Sequence, residues 1–95
     1  MSRFVISPAA RTDLRDIYRY IATDNSGAAA SHQQMLIDRF KSLAAHPLIG
    51  RARDDLVSGL RIFPARKYVI CYERTRDGIR ILCVIHSARD LDALF

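Results

Sequence analysis

The first half of the sequence carries two consecutive helical patterns that are separated by only a short polar break. Ser7 is a favourable N-cap, and Pro8 fits the first helical position, where a missing N–H does no harm. Residues 24–27 interrupt the pattern, and Pro47 ends the second helix at His46. Helical spacing relates Ala10, Leu14, Ile17, Tyr18 and Ile21 in the first helix, and Ala29, Gln33, Leu36, Phe40 and Leu43 in the second. Such a helical hairpin is too amphipathic to be stable by itself, and its apolar faces need to pack against a sheet.

The second half of the sequence supplies that sheet. Residues 60–64, 68–74 and 79–86 are rich in β-forming side chains, with turns at 66–67 and 75–78. Asp77-Gly78 is a strong hairpin signal because glycine accepts a positive φ. Residues 3–6 form a further short strand candidate. We therefore predict a single two-layer α+β domain over residues 1–95, in which an N-terminal strand and an αα-hairpin pack on a C-terminal antiparallel β-meander (β-α-α-β-β-β).

The last predicted strand has apolar side chains on both faces. Ile79, Ile81, Cys83 and Ile85 alternate with Arg80, Leu82, Val84 and His86, and we expect the first set to face the helices. Leu82 and Val84 would then lie on the other face, where burial of each is worth roughly 1.5–3 kcal/mol. Either a companion chain covers this face, which we favour, or a terminal segment of the same chain folds over it.

The positive charge of the chain indicates which kinds of partner it could bind. The net charge is +5, and the basic residues are almost all arginines, the only lysines being Lys41 and Lys67. Arginine suits phosphates and carboxylates, so the charge fits a nucleic acid, an acidic protein or simply solubility. No apolar run approaches the roughly 20 residues that span a bilayer, and Pro8 leaves no room for a signal-peptide core. We expect a cytoplasmic protein without a membrane partner.

The sequence gives no reason to expect a metal or another cofactor. Cys71 and Cys83 are too few for a zinc site and lie in apolar runs, so we interpret them as two small buried hydrophobic residues, although a cross-strand disulfide is geometrically allowed. His32 and His46 are interpreted as ordinary helix residues. Neither a phosphate-binding glycine loop nor a Ser/His/Asp or Cys/His arrangement is present.

A series of short motifs in a fixed order resembles the ParE/RelE toxin superfamily, and its ParE branch in particular. The resemblance covers nearly the whole chain. Its motifs are SPAA at 7–10, DL at 13–14, IYRYI at 17–21, PLIGRARDDL at 47–56, GLRIFP at 59–64, YVICY at 68–72 and VIHSARD at 84–90. The resemblance implies the toxin of a type II toxin–antitoxin system, which is encoded beside the antitoxin that neutralises it.

Two kinds of target follow from this resemblance. ParE members inhibit DNA gyrase, whereas RelE members cleave mRNA in the ribosomal A site. We expect this chain to inhibit gyrase, and it could also contact nucleic acid directly. A third hypothesis is a toxin fold that has lost its toxicity. The residues expected to bind the antitoxin are Arg61, Arg80, Leu82, Val84 and His86. The candidates for target contact are Arg51, Arg53 and Arg89.

An RNA-cleaving toxin would need a base, an acid and clustered cations. Arg61, His86 and Tyr72 are the candidates for this chemistry, provided that Arg61 and His86 share one face. The C-terminal residues lack the additional acid/base group of RelE-like enzymes, which favours a binding protein. Alternatively, His86 only satisfies the backbone or Asp90 at the strand end, with Arg89 paired to a carboxylate. Arg51 and Arg53 either contact the target or pair with Asp54 and Asp55 to order their loop.

Overall fold

A computed structural model describes residues 3–95 and shows one mixed sheet with a helical hairpin on one face. In chain order the elements are β1 (Arg3–Ile6), α1 (Pro8–Ala22), α2 (Ser26–Ala45), β2 (Arg51–Ala52), β3 (Leu60–Ala65), β4 (Tyr68–Arg74), β5 (Gly78–His86) and α3 (Leu91–Leu94). The strand order is β1-β5-β4-β3-β2, with β1 parallel to β5 and the other neighbours antiparallel. The predicted α+β architecture is confirmed, and β2 and α3 are additions to it.

The two helices begin where their capping residues predict. Ser7 Oγ accepts a hydrogen bond from the N–H of Ala10 at 3.1 Å, with Pro8 at the first helical position, and Asn25 Oδ1 accepts from Ala28 at 3.0 Å. The stripes face the sheet as expected, except that Tyr18 is exposed. The main core lies between the helices and the sheet and includes Ala10, Leu14, Ile17, Leu36, Phe40, Leu43, Ile70, Tyr72, Ile79 and Ile81.

One extra residue in β5 changes which side chains face the helices. Tyr72 is in register with Ile81, but Cys71 is in register with Cys83, so Leu82 forms a β-bulge. Beyond the bulge the alternation is reversed, and our assignment of the faces was wrong for the end of the strand. Val84, only 3% exposed, belongs to the helix-side core, whereas Cys83 and Ile85 lie on the opposite face.

Helix α1 holds the bulge in place with three hydrogen bonds. The N–H of Ser7 donates to the carbonyl of Ile81 at 3.0 Å, and Ser7 Oγ donates to the carbonyl of Leu82 at 2.9 Å. Beyond the bulge, the N–H of Val84 donates to Asp13 Oδ2 at 2.9 Å. Ser7 and Asp13 thus give partners to backbone groups of β5 next to the bulge, because buried backbone groups need partners.

A second, smaller cluster fills part of the sheet face opposite the helices. Its buried members are Leu60, Cys71 and Ile85, and Leu56 from the β2–β3 loop and Leu91 from α3 pack on them. The expectation of an uncovered face was therefore wrong for its centre, because segments of the same chain cover it. No helix within residues 3–95 has the length and hydropathy required to cross a membrane.

The two cysteines belong to this second cluster and are free thiols opposite each other on β4 and β5. Cys71 is fully buried and Cys83 partly so, which confirms the interpretation as small hydrophobic residues for Cys71 and in part for Cys83. The hydrogen bond between the two thiols and their burial raise the pKa of Cys71. The same hydrogen bond lowers the pKa of Cys83.

Replacement of Asp13 by alanine should destabilise the fold at the bulge. The N–H of Val84 would lose its partner in a buried position, at a cost of about 1–3 kcal/mol. For a domain of this size each kcal/mol lowers Tm by about 4–8 °C. Thermal unfolding followed by circular dichroism measures the change. Asp16→Ala, on the exposed face of the same helix, is the control and should leave Tm within the error; equal effects of the two variants would contradict the assigned role of Asp13.

Candidate functional site

Tyr72 is a structural residue that fixes the segment between α2 and β2. Its side chain is completely buried, its hydroxyl donates to the carbonyl of Pro47 at 2.7 Å, and it accepts from the N–H of Gly50 at 2.9 Å. Burial raises the pKa of Tyr72, although the hydrogen bond from Gly50 and the nearby Arg61 act in the opposite direction. Tyr72 is a candidate for nuclease chemistry, but its hydroxyl is enclosed and both of its hydrogen bonds are internal, which does not favour that role.

Arg61 holds the same segment from the neighbouring strand, where it is in register with Tyr72. One guanidinium nitrogen, Nη1, donates to the carbonyls of Gly50 at 2.6 Å and Leu48 at 3.3 Å. These two contacts, with those of Tyr72, order the connection so that the side chains of Leu48 and Ile49 remain exposed. The guanidinium of Arg61 is thus already engaged with backbone carbonyls.

His86 lies at the other end of the same sheet face. It is in register with Tyr68, four residues along β4 from Tyr72, which corresponds to about 13 Å along the strand. The structure therefore does not bring Arg61 and His86 together, and neither of them lies on the face opposite the helices. His86 Nδ1 accepts a hydrogen bond from the N–H of Ala88 at 3.1 Å, which confirms the alternative that it satisfies the backbone at the strand end.

Arg53 joins the β2–β3 loop to α3. It forms a two-pronged contact with Asp55, at 3.0 Å for both hydrogen bonds, and reaches Asp92 at 3.3 Å. The hydrogen bond to Asp55 raises the pKa of Arg53 and lowers that of the Asp55 carboxyl. Asp54 instead accepts from the N–H of Gly59 at 2.9 Å. The alternative of loop-ordering ion pairs is thus confirmed for Arg53 and Asp55, and not for Asp54.

The other two arginines proposed for target contact are accessible. Arg51 and Arg89 are exposed, and neither takes part in a salt bridge with any of residues 3–95. The expected pairing of Arg89 with a carboxylate is therefore wrong. Asp90 is instead the N-cap of α3 and accepts from the N–H of Asp92 at 3.0 Å. Arg51 lies on the short edge strand β2, and Arg89 follows β5.

An accessible apolar strip with basic flanks lies at the β1 edge of the sheet, on the face opposite the helices. We call Arg3, Val5, Arg80 and Leu82 the β1-side strip. Val5 is 53% exposed and is in register with Arg80, while Leu82 is partly buried against the second cluster. Arg80 is loosely paired with Glu73 at 3.7 Å. Arg80 and Leu82 were expected on this face, but Val84, beyond the bulge, is not accessible there.

A cavity of about 530 Å³ opens beside His86, between the end of α1, the start of α2 and the β3–β4 turn. We call it the β3–β4 pocket; its lining consists of Tyr20, Ile21, His32, Arg66, Lys67, Tyr68 and His86. Burial, followed by the charge of Arg66, lowers the pKa of His32. The interpretation of His32 as an ordinary helix residue overlooked this pocket, because its walls come from four separate parts of the chain.

The described residues provide no metal site, since no group of three His, Cys, Asp or Glu side chains within 3–95 is arranged to hold an ion. The accessible features are thus the β1-side strip, the β3–β4 pocket and the exposed arginines Arg51 and Arg89. These surfaces are suited to binding. Among the candidates for nuclease chemistry, Tyr72 is enclosed, Arg61 is engaged with carbonyls, and His86 is separated from both.

Comparisons with known proteins include a family model and relatives named as ParE toxins. The family model described as "ParE toxin of type II toxin-antitoxin system, parDE" matches residues 4–91. Toxin ParE1 of Mycobacterium tuberculosis is 34% identical over 96% of this chain and 95% of its own length. Toxin ParE3 of Caulobacter vibrioides is 30% identical over 98% of this chain and 94% of its own length. A solved structure titled "Chromosomal ParDE TA system from P. aeruginosa" shares the fold, with a TM-score of 0.74, 21% identity and coverage of 90% and 96%.

Replacement of Tyr72 by phenylalanine should loosen the segment that precedes β2. The N–H of Gly50 and the carbonyl of Pro47 would lose their partner, and we expect a loss of about 1–3 kcal/mol in the free energy of unfolding. Chemical denaturation measures it. Tyr20→Phe, which removes a hydroxyl from a highly exposed side chain, is the matched control and should be neutral. A neutral effect of Tyr72→Phe as well would contradict the role given to the buried hydroxyl.

Proposed function

We propose that this chain, which belongs to the ParE family of toxins from type II toxin–antitoxin systems, acts in the cytoplasm by binding DNA gyrase and not by catalysis. The observation that carries the proposal is the match of residues 4–91 to the ParE family. As a member of this family the chain is the toxin of such a system. Its target and the way it acts on that target are what we propose here.

The arrangement of polar side chains supports a binding mechanism over RNA cleavage. General acid–base chemistry on a phosphodiester requires an acid, a base and a cation within hydrogen-bond reach of one another. The candidates Arg61, Tyr72 and His86 do not meet this condition, because two of them hold the backbone of the 47–50 segment and the third lies about 13 Å farther along the sheet. Exposed Arg51 and Arg89 are better suited to contacts with an acidic surface of the target or with its DNA.

We further propose that the cognate antitoxin covers the β1-side strip. Val5 and Leu82 provide apolar area, and Arg3 and Arg80 flank it with positive charge. The strip includes part of β1, an edge strand whose outer side has no neighbouring strand among the described residues. An apolar segment with acidic neighbours, bound as a helix or as an added strand, fits such a surface. The net charge of +5 is consistent with an acidic antitoxin.

The gyrase hypothesis predicts that the purified chain inhibits supercoiling of relaxed plasmid DNA and increases the cleaved form. The chain mixed beforehand with its antitoxin is the control, and it should leave gyrase unaffected. A parallel translation reaction tests the alternative target, ribosome-bound mRNA. Unimpaired supercoiling together with cleaved mRNA would contradict our proposal in favour of a RelE-like nuclease. Normal activity in both assays would contradict it in favour of a toxin fold without toxicity.

Val5→Glu should weaken binding of the antitoxin by about tenfold or more, because the change removes apolar contact area, and the new carboxylate would repel the acidic segment and compete with it for Arg80. Isothermal titration calorimetry with the purified antitoxin measures the affinity. The matched control is Val57→Glu, an equivalent change at a valine that is 44% exposed in the β2–β3 loop. We expect the control to bind as the unmodified chain does. Equal affinities for both variants would exclude the β1-side strip as the antitoxin surface.

A further inference from the structure

We propose that the β3–β4 pocket binds a nucleotide unit, either a free nucleotide or one belonging to a single-stranded nucleic acid. The pocket is separate from the β1-side strip, since it opens on the helix side of the sheet at the strand ends where β3 turns into β4. The proposal does not depend on gyrase being the target. It rests on the shape of the pocket, on its aromatic walls and on the charge of its rim.

The walls of the pocket present flat and apolar surfaces. The rings of His32, Tyr68 and His86 follow one another edge to face, with centroid separations of 5.3 Å and 5.5 Å. Ile21 adds an aliphatic wall, and the largely exposed ring of Tyr20 stands at the entrance. The volume of about 530 Å³ lies in the range of small-molecule sites. A nucleobase of any kind can stack on such rings, since every base has a π-face.

The groups that can carry positive charge converge on the same space. Arg66 and Lys67 form the β3–β4 turn and line the pocket together with His32 and His86, and no carboxylate is part of the lining. The backbone of Arg66 has a φ of +56°, a conformation that is unfavourable for a residue with a side chain. The long cationic side chain is kept at a position that glycine would occupy more easily, and such strain is found preferentially at functional sites.

The number of cationic groups indicates the chemistry of the ligand. The positive charges of Arg66 and Lys67 exceed what one carboxylate can neutralise, whereas a phosphate ester carries up to two negative charges and several acceptor oxygens. In addition, His32 Nδ1 is buried without a hydrogen-bond partner among residues 3–95, which leaves one polar atom of the pocket wall unsatisfied. A phosphate at the rim and an aromatic ring between Tyr20 and Tyr68 would use both parts of the pocket, and a nucleotide carries both.

The test uses adenosine 5′-monophosphate, inorganic phosphate and a 5′-phosphorylated oligothymidine strand as probes in calorimetric titrations of the intact chain. We expect saturable binding of one or both nucleotide probes and much weaker binding of inorganic phosphate. Tighter binding of the monophosphate than of the strand identifies a free nucleotide, and the reverse order identifies a nucleic acid. Absence of saturable binding for both nucleotide probes, or inorganic phosphate binding as tightly as they do, would overturn the proposal.

Arg66→Gly is the informative variant because it removes the guanidinium and at the same time relieves the positive φ, so the fold should be retained. We expect this variant to weaken nucleotide binding by about tenfold or more. Arg76→Gly removes the same charge from the exposed β4–β5 turn and should change the affinity by less than about twofold. Equal losses of affinity in the two variants would mean that the nucleotide is held by non-specific charge attraction, and this would overturn the proposal.

Histidine ring signals in NMR spectra provide a readout that does not depend on any variant. The chain has three histidines, of which His32 and His86 line the pocket and His46 follows α2 outside it. Addition of the nucleotide that binds should shift the signals of His32 and His86 and leave that of His46 in place. Saturable binding with none of the pocket signals shifted would place the ligand elsewhere and contradict the proposal.

Discussion

The hydrogen bonds between α1 and the bulge in β5 are the interaction on which the rest of this structure depends. Leu82 is the additional residue, and Ser7 and Asp13 bond the backbone on its two sides. Because the bulge reverses the alternation of side chains, it directs Val84 into the helix-side core and Ile85 into the cluster on the other face. One inserted residue thus exchanges the faces to which the side chains at the end of the strand belong. It also leaves Leu82 beside Val5 at the sheet edge, where we propose that the antitoxin binds.

Arginine has two different roles in this protein, and they differ in whether the guanidinium is bonded to other parts of the chain. Arg61 and Arg53 hold loops: Arg61 bonds to carbonyls of the 47–50 segment, and Arg53 connects Asp55 to Asp92. Arg51, Arg66 and Arg89 are exposed and have no salt bridge in the described part of the chain. The charge of the second group is therefore available to partners. Composition alone does not separate the groups, since the same side chain serves both.

Features that are set by neighbouring residues could be predicted from the sequence, and features that are set by strand pairing could not. The start of α1 at Ser7-Pro8 and the end of α2 before Pro47 follow from local capping and backbone geometry, and both were correct. The bulge at Leu82 has no local signature, because it is defined only by the register of β5 against β4. The wrong placement of Val84 followed from it directly. The β3–β4 pocket was missed for a similar reason, since His32 and His86 are 54 positions apart and meet only in the folded chain.

The parallel pairing of β1 with β5 has a consequence for how this protein is made. Residues 3–6 pair with residues 78–81, so two segments that are 75 positions apart must meet before the sheet is complete. During synthesis on the ribosome, the helical hairpin emerges long before the strand that it must cover, and contacts between such distant segments form slowly. A nascent chain that stops before β5 has neither an edge for β1 nor the partner of Asp13. The toxin can therefore reach its folded form only after residues 78–81 have been synthesised.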